Sequence, residues 1–71
     1  MYYANYQIVL DGDFETEILA LLEADGYNIP ATAMQWGYEC VDATGEVEIY
    51  VLYDEEYEFT FVTVYATADL Y

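Results

Sequence analysis

Residues 46–66 read EVEIYVLYDEEYEFTFVTVYA, two strand patterns on either side of an acidic turn. Val47, Ile49, Val51 and Tyr53 alternate with Glu46, Glu48, Tyr50 and Leu52, the period of two of a half-buried strand. Asp54-Glu55-Glu56 is a turn signal, and Tyr57 to Ala66 is rich in β-branched and aromatic residues, the composition of another strand. Two strands joined by a short polar turn make an antiparallel hairpin. Upstream, Met34, Trp36, Tyr38 and Cys40 alternate with Gln35, Gly37, Glu39 and Val41, and Asp42-Ala43-Thr44-Gly45 is a second hairpin-type turn. The spacing therefore predicts a three-stranded meander running from Ala33 to Ala66.

Working toward the N-terminus, Tyr27 to Thr32 is a loop that holds the single proline, Pro30. Before it the period changes to that of a helix. Phe14, Ile18, Leu21 and Leu22 form one apolar stripe, Asp13 is a suitable N-cap, and Glu15 and Glu17 sit in the first turn, where the helix dipole favours anions. Gly26 suits the position after the last turn, so a helix is predicted over Asp13 to Asp25. Residues 3 to 10 alternate again, with Ala4, Tyr6, Ile8 and Leu10 as the better core face. The order is β-α-β-β-β in one domain over residues 1–71. The expected fold is an α+β two-layer sandwich, one helix packed on an antiparallel or mixed four-stranded sheet. The sheet face away from the helix has no second layer and is either solvated or a partner surface.

The composition restricts the chemistry. The chain has 71 residues with fifteen Asp or Glu, no Lys or Arg and no His, a formal net charge of −15. Without His there is no Ser-His-Asp or Cys-His relay and no imidazole metal ligand. Without Lys or Arg the chain cannot neutralise nucleic-acid phosphates or rest electrostatically on an anionic membrane. Yet 58% of the residues are hydrophobic and 20% aromatic, with ten Tyr, enough apolar material for a core rather than a disordered acidic tail. Cys40 is the only cysteine and reads as a small buried hydrophobe. A thiol with no partner points to a reducing compartment, and no stretch is apolar enough to span a bilayer. A soluble cytoplasmic protein is expected.

Folding gathers these acids at a cost in self-repulsion, with no cationic side chain to offset it. Raised carboxylate pKa values and a stability that increases toward acid pH follow as expectations. Solubility explains some of the charge but not the exclusion of every cation. Calcium is a second reading, but Asp11-Gly12-Asp13-Phe14-Glu15 and Asp54-Glu55-Glu56-Tyr57-Glu58 lack the EF-hand spacing. A two-carboxylate hydrolase needs a cleft that one helix on one sheet does not form. No cofactor, no metal site and no enzymatic activity are expected.

The remaining reading is an anionic surface that imitates nucleic acid. Duplex DNA carries one charge per ~1.7 Å, so a charge of this size corresponds to roughly 25 Å of duplex. Carboxylates two apart on a strand, as Glu46 and Glu48 or Glu56 and Glu58, would lie about 6.6 Å apart on one face. The candidate partner-binding acids are Asp42, Glu46, Glu48, Asp54, Glu55, Glu56 and Glu58 on the meander, then Glu15, Glu17 and Glu23 on the helix. Tyr50, Tyr53 and Tyr57 lie beside them in sequence and suit cation–π contact with Arg or Lys, or equally the ordinary role of Tyr in strands.

In its composition, length and element order the whole chain resembles the DNA mimics of phages and mobile elements: anti-CRISPR proteins, anti-restriction proteins and inhibitors of uracil-DNA glycosylase. The likeness is greatest to small acidic anti-CRISPRs that act on type I surveillance complexes. The resemblance implies a monomeric, non-enzymatic inhibitor that occupies the DNA or PAM groove of a Cascade complex, a basic partner, without touching nucleic acid itself. The alternatives are an acidic structural or assembly module, oligomeric through a sheet face or edge strand, and an antitoxin-like inhibitor of another basic DNA-binding enzyme.

Overall fold

A computed structural model describes residues 2–68, with side chains described over residues 6–66; Asp69 and the side chain of Ala4 lie outside them. The elements are β1 (Tyr2–Asp11), α1 (Glu15–Ala24), β2 (Tyr38–Val41), β3 (Val47–Asp54) and β4 (Phe59–Ala68). They form one helix on a four-stranded sheet of order β1-β4-β3-β2, every neighbour antiparallel. β1 thus pairs with β4, through Tyr6↔Val64, Ile8↔Val62 and Leu10↔Thr60, and does not touch β2.

The predicted alternation of β3 holds. Register places Val47, Ile49, Val51 and Tyr53 on one face with Thr60, Val62 and Val64 of β4, Tyr6, Ile8 and Leu10 of β1, and Tyr38 and Cys40 of β2. This is the helix side, and Val51 and Cys40 are fully buried there. Burial also pushes the Cys40 thiol pKa up, which suits an inert core residue. α1 packs chiefly on β3, so the outer part of the same face stays open, with Tyr6 59% and Ile8 46% exposed. The inward side of the helix is Glu15, Ile18, Leu19 and Leu22, at spacings of three and four. Leu21, assigned to the apolar stripe by sequence, is 70% exposed, and Phe14 is 40% exposed. Leu19 takes the half-buried place on the helix that the predicted stripe assigned to Leu21.

The helix ends differ in how closely they match expectation. Phe14, not Asp13, is the N-cap, and the Asp13 carboxylate instead accepts the Glu15 N–H at 3.3 Å. At the other end Gly26 donates to the Glu23 carbonyl at 3.1 Å and Tyr27 to the Leu22 carbonyl at 2.9 Å. Gly26 has φ +99, and the pair of bonds is a Schellman cap.

The N-terminus of α1 is pinned by Thr60, a fully buried β4 residue. Its hydroxyl accepts the Phe14 N–H at 2.9 Å and donates to the Gly12 carbonyl at 2.6 Å. A Thr60→Val substitution keeps the shape and leaves both partners unpaired. A loss of about 2–3 kcal/mol in chemical denaturation is expected, with Thr60→Ser close to wild type. Equal stability of the valine variant would mean that water replaces the hydroxyl.

The strand predicted from Ala33 begins only at Tyr38. Met34 and Gly37 exchange backbone hydrogen bonds of 2.8 and 3.0 Å around Gln35 and Trp36, a tight turn. Gly37, at φ +110, breaks the alternation, and Trp36 lies on the sheet face away from the helix while Tyr38 and Cys40 lie toward it.

Candidate partner-binding surface

Fourteen of the fifteen acids fall among the described residues. The fold, with extents of 39 × 21 × 19 Å, gathers many of them at the ends of its long axis. At one end the chain leaves β1, enters α1, and turns from β3 into β4. Asp11 pairs with Phe59, as does Asp54, and the Gly12 N–H donates to the Glu58 carbonyl at 2.9 Å. This brings Asp11, Asp13 and Glu15 against Asp54, Glu55, Glu56 and Glu58. The Tyr53 hydroxyl registers the cluster: its pKa is raised by burial and then by the charges of Glu58, Asp13, Glu55 and Asp54.

The opposite end holds the Asp42–Glu46 turn and the end of the helix with Asp25. Asn28 and Val41 form a bridge that joins them. The Tyr27 pKa is raised by burial first, then by Asp42, Asp25 and Tyr6. Helix acids Glu17 and Glu23 are exposed, Glu23 in the last turn of α1. Among the described residues no three carboxylates or cysteines converge as metal ligands would. The acids are gathered at poles without forming a chelate.

Not every predicted site residue is free to meet a partner. The Asp42 carboxylate accepts the N–H groups of Glu46 at 3.0 Å and Val47 at 3.2 Å and the Thr44 hydroxyl at 2.9 Å. Burial would raise its pKa, but these hydrogen bonds outweigh it and hold the carboxyl below its ordinary 3.8, against the general expectation of raised values. A lowered folded-state pKa contributes stability above the unfolded value, and that contribution is lost as pH falls through the folded one. The stability difference between wild type and Asp42→Asn should therefore be constant near neutrality and shrink below about pH 3.8. A difference that grew on acidification would contradict the hydrogen-bond assignment. Asp54 likewise accepts from Glu56 at 2.9 Å and Tyr57 at 3.2 Å, and Glu15 accepts the Tyr53 N–H at 3.2 Å beyond the end of β2. These three acids build turns and a strand end, while Glu46, Glu55, Glu56 and Glu58 are exposed.

The strand spacing expected for Glu46 with Glu48 and for Glu56 with Glu58 does not arise. β3 begins at Val47 and β4 at Phe59, so Glu46, Glu56 and Glu58 belong to turns, Glu58 with φ 59. The three tyrosines are not one group either. Tyr50 faces away from the helix, Tyr53 faces the helix side, and Tyr57 is 63% exposed in the turn.

Tyr50 instead belongs to an aromatic patch on the uncovered face. Trp36, Tyr50, Thr63 and Tyr65 line a shallow hollow of about 310 Å³, continued toward Gln7, Leu52 and Phe61. Tyr50 and Tyr65 meet edge to face at 5.4 Å between ring centroids. Glu39 lies opposite Tyr50 across β2 and β3, and the Tyr50 hydroxyl pKa is raised by burial, then by the charges of Glu39 and Glu48. Sequence reading missed Asp11, Asp13, Glu39, Trp36 and Tyr65. Asp11 and Asp13 were visible as alternating acids, but only the β1–β4 pairing sets them beside the 54–58 turn.

Compared with protein-family models, curated proteins and solved structures, the chain matches none. Among the described residues no helix is long and apolar enough to cross a membrane.

Proposed function

We propose that this protein is a non-enzymatic inhibitor that imitates the charge of DNA and occupies the basic nucleic-acid-binding surface of a host defence protein. In the form its resemblance favours, it is an anti-CRISPR that blocks target DNA or PAM binding by a type I Cascade complex, in the cytoplasm of an infected or element-carrying bacterium. The observation that carries the reading is the charge on the folded shape: fourteen acids and no cation along a 39 Å axis, about one per 2.8 Å, gathered mainly at its ends. Duplex DNA carries one charge per ~1.7 Å, so the protein presents a sparser anionic rod of comparable length. The patch of Trp36, Tyr50 and Tyr65, with Glu39 and Glu48 beside it, supplies rigid area and π faces for Arg or Lys.

Displacement of labelled target DNA tests it. Purified protein added to a Cascade complex, a restriction enzyme and uracil-DNA glycosylase should compete with DNA for at least one of them, and less well as salt rises. Undiminished DNA binding by all three at low salt and protein excess would overturn it. A second reading, an acidic assembly module, is favoured by the exposure of Ile8, Val9 and Leu21 (46, 49 and 70%).

A further inference from the structure

The two edges of the sheet are built differently. β2 has four residues, includes Glu39 and precedes Asp42, and Asn28 covers its outer side at Val41 with backbone bonds of 2.8 and 3.4 Å. β1 runs for ten residues, with no proline and no charged residue from Tyr2 to Leu10. In an antiparallel ladder backbone groups alternate between facing the neighbour and facing away. The Gly12 N–H donates to the Glu58 carbonyl, which sets the even-numbered residues of β1 toward β4. The N–H and C=O groups of Tyr3, Asn5, Gln7 and Val9 therefore point outward, and among the described residues nothing pairs with them. Sheets normally blunt so long an edge with charge, proline, a bulge or a covering segment.

The bare edge coincides with a gap in the charge. None of the fifteen acids lies in the first ten residues; Asp11, at the end of β1, is the nearest. A net charge of −15 opposes contact between copies of this chain, and the β1 edge is the stretch of backbone where that opposition is least. Antiparallel pairing centred on the strand would put the two Asp11 residues at opposite ends. About ten residues at ~3.4 Å each separate them by roughly 34 Å, several Debye lengths. Parallel pairing would set them side by side. Tyr6 and Ile8 on one face and Val9 on the other are each about half exposed and are available as cross-strand partners.

We propose that β1 pairs antiparallel with β1 of a second copy, joining two sheets into one of eight strands. A two-fold axis uses both bare edges and leaves outside only the β2 edges, four residues long, charged at Glu39 and paired with Asn28 at Val41, so association stops at the dimer. The proposal departs from the monomer that the resemblance implies, but its test is independent of the inhibitor reading, because self-association needs no target. Its salt dependence is also opposite: screening strengthens contact between like-charged copies and weakens binding to a basic partner.

Sedimentation equilibrium of the full chain over a range of concentration and salt tests it. The expected mass is twice 8.2 kDa, with a dissociation constant that falls as salt rises. Gln7→Pro removes an outward-facing donor while sparing the β4 ladder, at the expense of one exposed side-chain bond to Thr63. Val9→Glu places a charge on the bare edge. Each should raise the dissociation constant at least about tenfold with the far-UV circular dichroism unchanged. If Gln7→Pro unfolds, Val9→Glu decides, because that residue is already 49% exposed. A mass of 8.2 kDa at every concentration, or a dimer that Val9→Glu leaves as tight as wild type, would overturn the proposal.

Discussion

Reversing Glu55, Glu56 and Glu58 together to lysine is expected to weaken binding to the proposed basic partner at least about a hundredfold at low salt, about 2.7 kcal/mol. The substitutions change the net charge from −15 to −9, since each of three reversals removes one negative and adds one positive charge. All three residues are exposed in the β3–β4 turn, and none of their side chains makes a hydrogen bond among the described residues. The fold should survive, because Asp54, whose carboxylate holds that turn, is untouched. The loss should be greatest at low ionic strength and shrink as the Debye length shortens, so the slope of affinity against salt should flatten. DNA displacement measured beside thermal melting separates loss of binding from loss of fold. A matching reversal of Glu46 and Glu48 tests the other end. If both sets leave displacement intact, charge imitation is not how the protein works.

Gly37→Ala is expected to destabilise the domain by about 3 kcal/mol or more, lowering Tm by about 15 °C or more. Gly37 is buried at φ +110, a region that side chains with a Cβ rarely enter. A Cβ there would overlap the Val51 carbonyl oxygen and lie 2.9 Å from the Val51 carbonyl carbon and 3.0 Å from the Leu52 Cβ. The obstacle is backbone of a central strand, which cannot give way without moving the core around Val51. A domain this small has only about 4–10 kcal/mol in total, so one such change uses a large share of it. Gly45→Ala is the control: φ is +77, but nothing lies within 4 Å of its Cβ, so only the conformational strain remains. Equal melting temperatures for the two variants would show that Gly37 can shift without cost. Trp36 precedes Gly37 and is the single tryptophan, so its fluorescence should report the same transition.

Much of the fold was legible in the strand periodicities. Val47, Ile49, Val51 and Tyr53 share the face their alternation predicts, Cys40 is buried, and the helix ends where Gly26 allows it to. The errors fall where a local pattern competes with a tertiary contact. Leu21 fits a helical stripe as well as Leu19 does, and only the position of α1 over β3 selects between them. Trp36 continues an apolar alternation, yet Gly37 turns the chain and sends the indole to the other face. The acids followed the same division. Their number was plain, but which ones hold turns depends on hydrogen bonds such as those from Glu46 and Val47 to Asp42.

The absence of His, Lys and Arg and the order of the elements could be read along the chain alone. Residue types are either present or absent, and alternation is a local property of the chain. Where the charge lies depends instead on long-range strand pairing. Pairing β1 with β4 is a contact between the two ends of the chain, and no local pattern encodes it. That pairing carries Asp11 and Asp13 to the 54–58 turn and leaves an edge strand uncharged from Tyr2 to Leu10 on a molecule that is otherwise anionic.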